Sequence, residues 1–103
     1  MEKWDLVVIG GGVGGCTAAM YGTRYGMRAA IVEMFSPGGQ IATATSIENY
    51  PGFPEGIDGP ELARRVHEQA VSFGVEVISA EATEIAAGPD GKWLVKTSNG
   101  DLE

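Results

Sequence analysis

One cysteine, one histidine and seven Lys+Arg against fourteen Asp+Glu are the scarcities of this 103-residue chain. A single cysteine leaves no internal disulfide, and the default setting that follows is cytoplasmic. One histidine, His67, has no cluster of Cys, His or Asp around it in sequence, so no metal site is expected and His67 reads as a surface residue. The net charge of −7 argues against nucleic acid and anionic membrane as partners, and its plainer consequence is solubility. No apolar run approaches the roughly 20 residues needed to cross a bilayer, and the first residues lack the basic start and small-residue cleavage site of a signal peptide. There are no internal repeats and no low-complexity segment. The length supports one small domain with a single core.

Glycine is what the chain has in excess: 16 of 103 residues, about twice the usual share of roughly 7%. Such an excess marks tight turns and close backbone approach. Its densest run, Gly10-Gly11-Gly12-Val13-Gly14-Gly15, directly follows Leu6-Val7-Val8-Ile9, an unbroken apolar run that suits a strand buried on both faces of a parallel sheet. Gly10, Gly12 and Gly15 fall in the G-x-G-x-x-G register. In that register the first glycine makes the tight turn, the second lets backbone approach a pyrophosphate, and the third lets the helix pack close on the strand. The helix opening here would aim free N–H groups and about half a positive charge at phosphate oxygens. It is expected to run to about Gly26, with Ala19 and Gly22 keeping one face thin. Ala29-Ala30-Ile31-Val32 reads as the second strand, closing on Glu33. A carboxylate there can accept both ribose hydroxyls of an adenosine and would repel a 2′-phosphate. The six-residue match alone is weak, since glycine-rich turns are common. The strand before it, the helix after it and the acid about twenty residues on supply the context the fingerprint requires.

From Phe35 to Asp58 the periodicity stops. A stretch of that length with no evident element is unusual in a small domain and usually functional, although composition alone favours an ordinary Pro/Gly surface loop. It contains Ser36-Pro37-Gly38-Gly39-Gln40 and Glu48-Asn49-Tyr50-Pro51-Gly52-Phe53-Pro54. Gly59-Pro60-Glu61 then opens a second helix, with Leu62, Val66, Ala70 and Phe73 as its buried face, Arg64, Arg65 and Glu68 toward water, and Gly74 as its stop. Val75 to Ile78 is the natural third parallel strand. Ala82–Ala86 and Trp93–Thr97 read as hairpin strands joined by Gly88-Pro89-Asp90-Gly91, and Asn99-Gly100 signals a further hairpin. Only three residues follow, so Trp93–Thr97 is expected to lack a partner on that side, and the chain reads as truncated. Cys16, in the first turn of the glycine-opened helix, reads as a small buried hydrophobe rather than a nucleophile. Trp4 and Trp93 read as packing or edge-strand residues.

Taken together, Val8 to Gly15, Pro37-Gly38-Gly39-Gln40, Glu48 to Pro54 and Gly59-Pro60-Glu61-Leu62 resemble the N-terminal FAD-binding part of low-molecular-weight thioredoxin reductases. The resemblance runs from about Asp5 to the end of the chain, and the long loop is its most specific part. It implies an α/β fold, Rossmann-like β-α-β-loop-α-β over residues 1–80 followed by the start of an antiparallel meander over 81–103. Together these form an incomplete FAD/NAD(P)-binding domain. By position it also implies that Gly10, Gly12, Val13, Gly14 and Gly15 hold the FAD pyrophosphate, that Glu33 holds the adenosine ribose and that Met34 lies by the adenine. Gly38, Gly39, Gln40 and Ile41 would reach the ribityl part, Asn49 would lie near the flavin ring, and backbone near Ala82 would touch the adenine from the far side.

The departures from the family pattern are equally informative. The NADPH domain, the Cys-x-x-Cys and the returning C-terminal segment that completes the FAD site are all missing. A single thiol cannot cycle, so this chain alone does not reduce disulfides. The complete enzyme implied would pass electrons from NADPH to FAD, to a cysteine pair and on to thioredoxin; ferredoxin- or oxygen-linked relatives of the same fold, and a non-catalytic module for FAD or another ADP-containing ligand, are the alternatives. In the doubly wound order 3-2-1-4 the first strand lacks its fourth-strand neighbour, so the remainder of the flavoenzyme or a second copy of the chain is expected to cover that edge.

Overall fold

Three apolar runs, each leaving a glycine-terminated helix or leading into a glycine turn, build the first half of the molecule. The computed structural model describes residues 3–34 and 46–103. β1 (Leu6–Ile9), β2 (Ala29–Glu33) and β3 (Glu76–Ser79) form a parallel sheet in the order β1-β2-β3, with Leu6 opposite Ala29 and Ala30 opposite Glu76. Helix α1 (Val13–Arg24) connects β1 to β2, and α2 (Gly59–Ser72) precedes β3. The α/β architecture read from the sequence is therefore present.

Alternation along the strands sorts side chains to two faces. Leu6 and Val8 of β1 and Ala29 and Ile31 of β2 meet Cys16, Ala19 and Met20 of α1 and Val66 and Ala70 of α2. On the opposite face Val7, Val32 and Ile78 meet Ala82, Val95 and Leu102 of a second, antiparallel sheet. The result is three layers, helices on parallel sheet on antiparallel sheet. Its centre is β2, whose residues Ala29 to Val32 are all buried. Each fully buried Ile or Val there contributes about 1.5–3 kcal/mol relative to exposure.

Both helices stop the same way. Past α1, Gly26 N–H donates to Thr23 O (3.0 Å) and Met27 N–H to Gly22 O (3.0 Å). Past α2, Gly74 N–H donates to Val71 O (2.9 Å) and Val75 N–H to Ala70 O (3.4 Å). These are paired 5→2 and 6→1 closures that require a left-handed residue, and Gly26 and Gly74 supply it with φ of +89° and +98°.

The antiparallel sheet contains β4 (Ala82–Ala87), β5 (Trp93–Thr97) and β6 (Gly100–Leu102), in that order, with a single 3-10 turn at Pro89–Gly91 between the first two. This corrects the expectation that β5 would be unpaired. Leu102, Asp101 and Gly100 pair with Val95, Lys96 and Thr97, because the two turn residues are Ser98 and Asn99, one position earlier than the Asn99-Gly100 signal suggested, which frees Gly100 to pair. Thr97 Oγ1 braces the turn, donating to Gly100 O and accepting from Asn99 N–H.

Other expectations are also corrected. Phe73 is 40% exposed. It occupies the C-cap of α2, where the helical twist has ended and no longer aims it at the sheet, and the Arg24 guanidinium lies 5.3 Å from its ring centre. His67 is only half-exposed, and its Nδ1 is buried without a partner among the described residues. Trp4 packs beside the second core, as expected of it, with Arg28 stacked on it at 3.9 Å, but Trp93 is 66% exposed on β5, the middle strand of its sheet, and is neither a packing nor an edge-strand residue. The long loop is not featureless: Ile47 and Ile57 exchange backbone hydrogen bonds of 2.8 and 2.9 Å, pinching residues 48–56 into a closed loop.

Candidate functional site

The carboxyl ends of β1 and β2 carry the glycine turn and Glu33, the position at which open α/β sheets receive ligands. Gly10 still pairs with β2, its N–H donating to Val32 O at 2.9 Å, and then turns the chain with φ +102°. Gly12 is the N-cap of α1. Gly15 lies so close to the turn that a Cβ there would stand 2.0 Å from Gly10 O and 3.1 Å from Val8 Cγ1. The expectation that this glycine seats helix against strand is met by that contact.

Over Gly12 and Gly14 the situation is reversed. A Cβ on either would meet nothing within 4 Å among the described residues. Helix α1 has no side-chain cap and no acidic residue in its first turn, so the positive end of its dipole is not neutralised by its own side chains. By contrast α2 carries Glu61 in its first turn. An open, uncapped helix start fits a diphosphate.

Glu33 closes β2 beside this turn, and its carboxylate accepts a hydrogen bond from Gly11 N–H. No role for Gly11 was legible along the chain. The only signal was a second glycine where the motif tolerates any residue. Gly11 is buried, and the Cys16 thiol donates to its carbonyl oxygen at 3.4 Å. Burial pushes the Cys16 thiol above its ordinary 9.0, and the Glu33 carboxylate adds to this. A neutral thiol, 1% exposed, agrees with the packing role read from the sequence.

The structure thus gathers Gly10, Gly12, Val13, Gly14, Gly15, Glu33 and the exposed Met34 at one end of the parallel sheet. Gly38, Gly39, Gln40 and Ile41 lie outside the described residues. Asn49 is exposed on the pinched loop, where Tyr50 and Phe53 sit 6.1 Å apart and Arg65 lies 5.8 Å from the Phe53 ring. Ala82 follows closely on Ala80, whose N–H donates to Glu33 O at 3.1 Å, so this crossing between the sheets leaves from the Glu33 end. An apolar groove of about 600 Å³ lies elsewhere, between Trp4, Leu6, Val7 and Ile9 on the β1 edge and Ile85, Trp93 and Val95 on the antiparallel sheet. Among the described residues no group of three or more His, Cys, Asp or Glu could hold a metal, and no helix is long and apolar enough to cross a membrane.

Comparison with known proteins agrees with this geometry. A thioredoxin reductase of Ureaplasma parvum is 45% identical over 85 residues, covering 82% of this chain and 27% of that protein. A thioredoxin reductase of Bacillus subtilis is 40% identical over 89 residues, covering 86% of this chain and 28% of the relative. The crystal structure of Lactococcus lactis thioredoxin reductase superposes with a TM-score of 0.89 at 39% identity, covering 95% of this chain and 32% of that one. That of T. acidophilum thioredoxin reductase gives 0.91 at 30% identity, covering 100% and 33%. The chain therefore spans less than a third of the length of these two sequence relatives. The sequence pattern of the family described as pyridine nucleotide-disulphide oxidoreductase matches residues 4–101. By that match, this chain is a member of the pyridine nucleotide-disulphide oxidoreductase family.

Proposed function

We propose that this chain is the FAD-binding part of a thioredoxin-reductase-like flavoprotein, one partial domain in which residues 1–80 form the nucleotide-binding unit and residues 81–103 the start of the meander. The observation that carries the reading is the uncapped, open start of α1 at Gly12 with the Glu33 carboxylate on the same turn. Val13, Gly14 and Gly15 N–H groups would face the pyrophosphate, Gly10 and Gly12 would let it approach, and Glu33 would accept the ribose hydroxyls. Met34 and the backbone near Ala82 would flank the adenine. Gly38, Gly39, Gln40, Ile41 and Asn49 belong to the flavin half of the site by resemblance.

FAD, when bound, supplies the electron-transfer chemistry, and the protein's part is to hold and orient it. With one cysteine in the chain, disulfide exchange must use a dithiol from elsewhere. In the complete enzyme NADPH would reduce the flavin through a further domain, and thioredoxin would accept the electrons, in a cytoplasmic setting. The position of β1 at the edge of its sheet among the described residues, and the groove beside it, support a polypeptide partner, either the remainder of the flavoenzyme or a second copy.

The test is to purify the chain, add FAD and record the visible spectrum of the protein fraction after desalting, alone and after mixing with the remaining two-thirds of a thioredoxin reductase. Flavin retained in either sample, and bleached by NADPH only in the mixture, is the expected result. Colourless protein in both would sink the reading. Sedimentation as a stable, well-dispersed monomer with no partner would refute the edge-covering part alone.

A further inference from the structure

Between β3 and β4 the chain crosses from one sheet to the other through Ala80 and Glu81, and hydrogen bonds fasten that crossing on two sides. On the β2 side, Ser79 stands opposite Glu33 in register and Ala80 N–H donates to Glu33 O at 3.1 Å. On the other side lies the turn between β5 and β6, with Ser98 and Asn99 both exposed. Ser98 N–H donates to Glu81 O at 2.9 Å, Glu81 N–H donates to Ser98 Oγ at 3.0 Å, and the Asn99 side-chain amide donates to Ser79 O at 2.9 Å. The turn is thereby bonded to the strand end that lies beside Glu33. We propose that Ser98 and Asn99 are positioning residues for the nucleotide site: they clamp the crossing against the end of β2, and a ligand containing ADP binds more tightly because the clamp is closed. The inference rests on the nucleotide reading above.

The physical reason is that this corner has little regular support. The β4–β5 ladder shifts register between Ala82 and Glu84, so the start of β4 is held irregularly. Ala80 is buried with Val32, Val95 and Leu102 between the sheets, whereas Glu81 is exposed. The backbone groups of such a connection need partners, and the turn supplies them through one main-chain and two side-chain groups. Only the NH2 of Asn99 can donate to the Ser79 carbonyl, so the orientation of that amide is fixed by its partner. Without the clamp the crossing would sample more positions, and a nucleotide held at Glu33 would have to order it on binding. The side-chain bonds span 17 and 20 positions, which is why the Asn99-Gly100 hairpin signal does not announce them.

The experiment is calorimetric titration of the chain with ADP, with a thermal melt beside it, for the wild type, Asn99→Ala, Ser98→Ala and Ser98→Thr. None of these changes the net charge, so attraction for the diphosphate is the same in all four. At a temperature where every variant is folded, Asn99→Ala and Ser98→Ala should bind ADP about threefold or more weakly, and Ser98→Thr, which keeps the hydroxyl, should return to within about 1.5-fold of wild type. A turn that only stabilises the fold would lower the melting temperature of the alanine variants and leave their ADP affinity untouched. That result overturns the inference and leaves the nucleotide site standing, as does a Ser98→Thr as weak as Ser98→Ala. Absence of ADP binding to the wild type sinks both. Should a variant not fold, the wild type alone decides, because a clamp that tightens ADP must in turn be tightened by it. Hydrogen exchange at the Glu81 and Ser98 amides should slow about threefold or more on saturation with ADP, and unchanged exchange there with ADP bound overturns the inference.

Discussion

The α carbon of Gly15 faces the carbonyl oxygen of Gly10 so closely that a single added methyl group would lie 2.0 Å from it. Helix and turn are in backbone contact here. Gly15→Ala is therefore expected to destabilise the fold near the upper end of the usual 1–3 kcal/mol for overpacking, since backbone cannot rotate away. A Tm lowered by about 10 °C or more in thermal unfolding is the expected reading. A Tm within a degree or two of wild type would mean that the helix start is not where it is described.

Gly12 separates binding from folding. A side chain there meets none of the described residues, so Gly12→Val should leave the melting temperature nearly unchanged while cutting flavin or ADP retention at least tenfold. Glu33→Ala should weaken binding less, because the pyrophosphate contacts survive. Equal flavin content in wild type and Gly12→Val would remove the pyrophosphate from this turn.

Cys16 is buried and its thiol is held neutral above its ordinary 9.0. It should resist a thiol reagent in the native protein and react at the unfolded rate in denaturant. The raised folded-state value also has a linkage consequence. The stability it contributes is full below about pH 9 and is lost as pH rises toward the folded value, because the unfolded thiol ionises first. Chemical denaturation of wild type and Cys16→Ala at pH 8 and pH 10 should show a loss in the alkaline sample that the variant shares only in part.

Glu61 accepts hydrogen bonds from Arg64 and Arg65, and these hold its carboxyl down at about 2 against an ordinary 4.5. A depressed carboxylate contributes stability above the unfolded value and loses it as pH falls through the folded one. Amide protection in α2 should accordingly decline between about pH 4.5 and 2, and Glu61→Gln should flatten that decline. The pair is exposed, so 1 M salt should shrink the effect. A decline that is the same with and without Glu61 would assign it to other carboxylates.

What the sequence announced most clearly was set by local rules. Ala29 to Val32 is apolar because both faces of β2 are covered, whereas the like run Leu6 to Ile9 is only partly buried and Ile9 is 49% exposed, and Gly26 and Gly74 stop helices because few other residues tolerate that conformation. The glycine turn and Glu33 were legible for the same reason. Phe73 was misjudged because periodicity does not report where the helix ends. The pairing of β6 was missed because three residues give too little pattern for a strand, although a tight turn makes them pair. The Gly11 bond to Glu33 joins residues 22 apart and depends on how two strand ends meet, which spacing along the chain does not encode.

Trp4 N–H donates to the carbonyl oxygen of Glu103 at 2.9 Å, so the first described residues and the last share one hydrogen bond. A linker of a few residues would close the polypeptide into a ring without displacing either sheet, and new ends could be opened at the tip of the pinched loop, near Gly52. Such a permuted chain would keep the glycine turn and Glu33 in place.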